Sequence, residues 1–432
     1  MNPLVCLYFQ VHQPYRLRDL RITEIGSEGL AYFDTERNRA IFRKIADKCY
    51  LPANALLLDL LRNYPDFSVA YSISGVFLEQ CEEYGTDVLD SFKALAATGK
   101  VEFLAETYYH SLSSVKSVGE FAEQVRLHVD AMERTFGQRP SVFRNTELIY
   151  SNELAQMARM MGFSGILAEG ADHVLDGRNP NDPFRPPAFR LPAPIERAIR
   201  AARPLPLRAR DITILLKNYK LSDDVAFRFS DKSWVQFPLS AKTFTDWIAG
   251  SAGHCVNLFM DYETFGEHQW ADTGIFDFLR RLPELWQERG IRAVTPSLAI
   301  REWKAEVTPV FDAHTCISWA DIERDLSAWL GNRIQNAAAD GLYALESDVK
   351  RSGNPELLRL WRLLQTSDHF YYMCTKYWAD GDVHKYFSPY ESPYEAYRRF
   401  SHALHDLRQR LESCSHPKGS GPLQPVFPPK RS

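Results

Sequence analysis

The sequence predicts an α/β protein: a parallel sheet, doubly wound or closed as a barrel, followed by a purely helical region. Three observations lead there. Short apolar runs alternate with helix-period segments along the first two thirds of the chain, and repeated strand–helix–strand order implies parallel pairing. Polar residues cluster directly after the apolar runs, at the strand ends where both architectures place their sites. Past residue 317 the strand-like runs stop and helical spacing alone remains.

The elements follow in order. Val5–Phe9, Ser68–Ser74, Val101–Ala105, Val142–Asn145, Ser164–Ala168 and Cys255–Met260 are rich in Val, Ile and Phe and too short for helices. The spacing predicts helices over Leu78–Ala97, Val118–Phe136 and Ser151–Met161. The stretch 172–206 holds NPNDPFRPPAFRLPAP, whose prolines predict a long irregular insertion. Strand-like alternation returns over Ile212–Phe229. Ser318 with Asp321 reads as a capping box that opens a helix through Leu326, Trp329, Leu330 and Ile334. Two more helices are expected over Pro355–Cys374 and Pro393–Leu411. The expected domains are a catalytic unit over 1–303, a helical domain over 317–414 and a disordered Pro/Gly/Ser-rich tail over 415–432.

Composition narrows the class. With 45% apolar and 25% charged residues in 432, disordered and fibrous classes are excluded. Lys plus Arg (51) against Asp plus Glu (55) leaves no basic excess, so nucleic acid is not an expected partner. No uninterrupted apolar run reaches about 18 residues, so no membrane span is expected. MNPLVCLYFQ lacks a basic leader and a cleavage site and reads as a buried first strand. Seven scattered cysteines without a CxxC pair fit reduced thiols in a cytoplasmic protein.

Four polar clusters carry the candidate chemistry. His12 follows the first strand within HQP, where its plainer role is structural. EFLAETYYHSL carries Glu102, Glu106 and His110, and alternation puts both carboxylates on one face of an extended segment. FRNTELIY places Arg144 three residues before Glu147, close enough to hold a nucleophilic carboxylate ionised; the plainer role of Glu147 is to complement a helix dipole. LFMDYETFGEHQW brings Asp261, Glu263, Glu267 and His268 within eight residues, and Gly266 permits a tight turn. There Phe265 and Trp270 are expected to dry the site and raise a carboxyl pKa.

His12, His110, Asp261 and His268 are metal-ligand types, but none shows HxxxH or HxH spacing, so no metal is expected. Two carboxylates on separate strand ends, without phosphate-binding glycines or a Ser–His pairing, point to glycosidic chemistry.

These clusters, in this order, resemble glycoside hydrolase family 57. The likeness runs through HQP (12–14), GKVEFL (99–104) into AETYYHSL, FRNTELIY (143–150), LFMDYETFGEHQW (258–270) and TSDHFYYM (366–373). It is nearest the family's α-amylase-like branch. The resemblance implies an incomplete (β/α)7 barrel followed by a helical domain. It also implies retention of configuration with Glu147 as nucleophile, Asp261 as general acid/base, and no cofactor or catalytic metal. His12, Glu102 and Asp368 are then expected to line the sugar cleft; Glu106, His110, Glu263, His268 and Trp270 are further candidates. Lys100 stands where many relatives carry Gln. The expected substrate is an α-1,4-glucan, cleaved by hydrolysis; a 4-α-glucanotransferase or branching enzyme is the nearest alternative. A metal-dependent carbohydrate deacetylase and a non-catalytic glucan-binding protein are more distant ones.

Overall fold

Leu4–Val11 (β1) is buried along all eight residues, as a strand covered on both faces must be. The computed structural model describes residues 3–27, 29–202, 211–303, 307–376 and 387–415. Seven further strands follow: β2 (Val69–Ile73), β3 (Val101–Phe103), β4 (Val142–Arg144), β5 (Gly165–Glu169), β6 (Thr213–Lys217), β7 (Cys255–Asp261) and β8 (Arg292–Ala293). They form two parallel sheets, β3-β2-β1-β7 and β4-β5-β6, with β8 on the first residues of β1.

Backbone bonds close these sheets into one ring. Ala105 N–H donates to Val142 O and Arg144 N–H to Ala105 O, joining β3 to β4. Asn218 N–H donates to Asn257 O, and the Asn257 side-chain Nδ2 adds a bond to Leu216 O, joining β6 to β7. The closed alternative is therefore the one adopted: a seven-stranded (β/α) barrel. Alternation within β1 sorts the core. Cys6 and Tyr8 fill the barrel with Ala70, Leu104, Leu167 and Phe259, while Leu7, Phe9 and Val11 pack outward against helices.

Several elements differ from those the sequence predicts. The helix expected over Leu78–Ala97 is two, Gly75–Tyr84 and Thr86–Ala96. Gly85 divides them, where a Cβ would stand 2.5 Å from the Phe42 ring. Val118–Phe136 forms as expected between a Ser117 cap and Gly137 at φ 68. The Pro-rich insertion is not wholly irregular: it contains helices Asp172–Leu175 and Ala193–Ala201, while residues 203–206 lie outside the described residues. Only Thr213–Lys217 of the Ile212–Phe229 stretch is a strand. Asn218 accepts from Leu221 N–H and turns the chain into a helix, Tyr219–Ala226.

The helical region contains Arg333–Tyr343, Pro355–Leu363, Ser367–Tyr371 and Pro393–Ser415 around Trp329, Trp361, Phe370 and Phe400. No helix opens at Ser318. Its hydroxyl donates to Asp325 O, Asp321 and Arg324 both take φ 53, and the helix starts at Ser327. The expected Pro355–Cys374 helix breaks before Ser367, where Thr366 is extended and bridges Ser111. Of the expected tail, Ser415 ends the last helix and 416–432 lie outside the described residues. Leu17, Leu112 and Ile149, from the loops after β1, β3 and β4, belong to the same core as these helices. A buried carboxylate reinforces the junction: Glu120, on the barrel helix Val118–Phe136, accepts from Arg362 at 2.7 and 3.2 Å and pairs with Lys350 at 3.0 Å.

Gly266 turns the chain after β7 at φ 119, and a Cβ there would lie 2.0 Å from the Lys48 carbonyl oxygen. Gly266→Ala is expected to destabilise the fold by about 2–4 kcal/mol. Urea unfolding measures this, and an unchanged midpoint would show that the turn bears no such constraint.

Candidate active site

The ends of β1, β4, β6 and β7, with residues of the helical region, surround a cleft of about 660 Å³. Glu147, Asp261, His12, His110, Glu263, His268 and Asp368 all line it. The sequence thus brings seven of its ten predicted site residues to one concavity, from segments far apart in the chain.

Glu147 reaches the cleft through an unusual backbone. After Arg144 the chain makes one short turn in which Glu147 and Leu148 adopt φ 57 and φ 50, a region that costs a non-glycine residue about 1–3 kcal/mol. Hydrogen bonds from Leu148 N–H to Asn145 O and from the Asn145 amide to Ile149 O hold the turn. Its carboxylate receives Ser367 Oγ at 2.9 Å and Trp319 Nε1 at 2.9 Å on separate oxygens, with His110 Nε2 at 3.4 Å.

Burial alone would raise the Glu147 pKa, but the hydrogen bond and charge of His110, then the Arg144 guanidinium, bring it below the ordinary value. Arg144 is fully buried and its guanidinium bonds to no other side chain among the described residues; it lies 4.8 Å from the Trp319 ring centre. Asp261 goes the other way. Burial and then the charge of Glu147 push it up to about 6, against the opposing pull of Arg144. One carboxyl is held below its ordinary pKa and its neighbour above it.

His110 is the hinge of this arrangement. It too sits at positive φ, 48, and its Nδ1 is 2.8 Å from Glu106. Burial would lower its pKa; the bonds to Glu106 and Glu147 outweigh that and raise it to about 9. Glu106, raised by burial, is brought by His110 to about 2 and also accepts from Ser72 Oγ. His12 stacks on His110 at 4.1 Å, bonds Ser74 through Nδ1 and meets Asp368 through Nε2 at 3.0 Å. Burial and the His110 charge lower the His12 pKa. Burial and then the charge of Asp261 push Glu263 up to about 8, where Tyr50 and Gln13 donate to it.

Three expected cleft residues are elsewhere. Glu102 does share the barrel-facing side with Glu106, but four extended residues separate them by about 13 Å. It accepts from Ser297 N–H beside β8, at the opposite end of the barrel. Glu106 is fully buried beneath His110 and does not line the cleft. Trp270 is 58% exposed with Lys48 over its ring at 5.3 Å, and Phe265 packs on Phe9 in the core, so neither dries the site. The sequence reading missed Trp319 and Ser367. Ser367 was findable as the neighbour of Asp368; Trp319 carried no signal, because Ser318 before it reads as a helix cap.

Among the described residues no three His, Cys, Asp or Glu side chains form a group that would hold a metal ion. Nor, among them, is any helix long and apolar enough to cross a membrane.

The model of glycosyl hydrolase family 57 matches residues 6–312. This chain belongs to that family. A Methanocaldococcus jannaschii relative, provisionally named an alpha-amylase, is 40% identical over 423 residues, 95% of this chain and 85% of its own. The fold of this family 57 member is similar to a branching enzyme from Pyrococcus horikoshii, with TM-score 0.65 and 16% identity over 95% and 91% of the two chains. It is also similar to a 4-alpha-glucanotransferase from Thermococcus litoralis, with TM-score 0.59 and 15% identity over 85% and 56%.

The Glu106–His110 pair sets a testable pH window. The His110 pKa rises from 6.5 to about 9 on folding, so its stabilisation is full below 6.5 and lost as pH climbs through 9. Glu106 falls from 4.5 to about 2, so its share is full above 4.5 and lost as pH drops through 2. The stability gap between wild type and Glu106→Gln/His110→Gln is expected to be widest near pH 4.5–6.5 and to close towards pH 9. Denaturant melts across that range measure it; a gap that ignores pH would show that the pair is not charged.

Proposed function

We propose that this protein is a retaining glycoside hydrolase of α-1,4-glucans such as starch, glycogen or maltodextrin. In this reading Glu147 is the nucleophile and Asp261 the general acid/base. The observation that carries it is the opposite displacement of two carboxyl groups in one cleft, Glu147 lowered and Asp261 raised to about 6. Asp261 protonates the glycosidic oxygen as Glu147 bonds to the anomeric carbon; the Asp261 carboxylate then takes a proton from the water that releases the sugar. Ser367, Trp319 and His110 fix the attacking oxygens before the sugar arrives. His12, His110, Glu263, His268 and Asp368 line the cleft as partners for sugar hydroxyls.

Residues 1–303 then form the catalytic unit, and the helical domain over 317–414 completes its cleft. The reaction needs no cofactor from outside, and a cytoplasmic setting fits cysteines that form no disulfide among the described residues. The 40% identical relative, named for hydrolysis, supports water over a sugar as acceptor.

Glu147→Gln is expected to lower turnover of maltoheptaose at least about a thousandfold with the fold intact. In Glu147→Ala, which leaves room for it, azide should restore cleavage and give a glycosyl azide of inverted configuration, because it replaces the missing nucleophile. Near-wild-type turnover without azide would remove Glu147 from this role.

The pH profile of kcat/KM should fall above about pH 6 as Asp261 loses the proton it must donate. It should also fall in acid as Glu147 gains one. Asp261→Asn should abolish the alkaline limb. Products separate the two acceptors: shorter chains with rising reducing ends establish hydrolysis, whereas longer chains at constant reducing ends establish transfer.

A further inference from the structure

Four charged side chains at the ends of β5 and β6 form a closed ring that the proposed reaction does not use. Lys217 Nζ lies 2.9 Å from Asp223 and 3.7 Å from Glu169. Arg324 lies 3.4 Å from Glu169 and 3.5 Å from Asp223. Each cation therefore meets both anions. Glu169 is fully buried and Lys217 and Asp223 nearly so, hence this is no surface pair of negligible worth: removing one member strands a buried charge.

The ring grips a loop whose backbone is strained. Asp321 and Arg324 both take φ 53 without being glycine, a costly conformation that surrounding contacts must impose. Arg324 leaves the ring to donate to Trp319 O at 2.6 Å, and Ser318 N–H donates to Arg324 O at 3.0 Å. Trp319 in turn donates its N–H to Glu147 O at 3.3 Å and its indole N–H to Glu147 Oε2 at 2.9 Å. Lys217 Nζ also stands 5.7 Å from the Trp319 ring centre, and a cation over the ring strengthens the grip on it.

We propose that the Glu169–Lys217–Asp223–Arg324 ring is a positioning clamp, which holds Trp319 so that its indole N–H fixes one oxygen of Glu147. The proposal rests on Glu147 being the nucleophile. None of the four ring residues needs to touch the reacting atoms; they act through Trp319.

The variants are Trp319→Phe, which removes only the donor, Arg324→Met, which opens the clamp, and Arg324→Lys, which keeps the charge. Trp319→Phe and Arg324→Met should each lower kcat about tenfold or more, with a smaller change in KM, because a misplaced nucleophile slows the chemical step. Their acid limbs of kcat/KM should both rise, since a carboxylate that loses a donor binds a proton more readily. The other charged groups facing Glu147 (His110, Arg144, Asp261 and Asp368) are unchanged in all variants. The double variant should be no worse than the poorer single one, and Arg324→Lys should recover part of the loss. An unmoved acid limb in Arg324→Met, or losses that multiply in the double variant, would overturn the clamp.

A second readout needs no substrate: carbodiimide–amine labelling of Glu147 against pH, followed by mass spectrometry. Its midpoint should rise in Trp319→Phe and in whichever Arg324 variant folds. No rise in either sinks the clamp. A rise in both, with a wild type inert on every α-glucan, sinks the proposed function and leaves the clamp standing.

Discussion

A carboxylate attacks carbon only while it is charged, and a cleft that excludes water resists charge. Glu147 and Asp261 both pay that penalty, and the rest of the structure decides which of them gives way. Glu147 stays ionised because Ser367, Trp319 and His110 donate to it while Arg144 lies buried nearby. Asp261 receives no comparable set, so its neighbour's charge counts against it. The asymmetry lies in the surroundings of two chemically similar groups.

That asymmetry has a structural cost spread along the chain. His110, Glu147, Leu148, Asp321 and Arg324 all occupy left-handed backbone without being glycine, and each touches or adjoins the cleft. Such conformations persist where packing and hydrogen bonds outnumber the alternatives. Here they are pinned by a barrel beneath and a helical core above, and the loops after β1, β3 and β4 belong to both. Charge is managed in the same way. Glu106 and His110 neutralise one another below the cleft, and His110 keeps a second N–H for Glu147.

The strands were legible in the sequence because a barrel buries both faces of each one, leaving short continuous runs of Val, Ile, Leu and Phe. Ring closure was not, since it rests on backbone bonds at Ala105 and Asn218 that leave no mark in composition. Asp261 stood out because it ends an apolar run, and Glu147 because it closes the polar switch Arg144–Glu147 that follows one. Glu102 misled for the opposite reason: alternation gave its face correctly but said nothing of its depth along the barrel. Trp319 was hidden by Ser318, whose helix-cap chemistry serves a turn to Asp325 instead. Its partners Lys217 and Arg324 are 107 residues apart (324 − 217) and meet only through tertiary contacts.

The carboxylate of Glu147 draws on residues 319 and 367, and buried Glu120 waits for Arg362. A chain leaving the ribosome has therefore synthesised every barrel strand before it possesses two of the groups that donate to the Glu147 carboxylate. Until the chain beyond residue 318 emerges, the barrel carries Glu120 without Arg362 and Lys350, and Glu147 without Trp319 and Ser367. The donor set around Glu147 and the docking of the final helices are completed together, so only the finished chain gives the cleft its charge pattern.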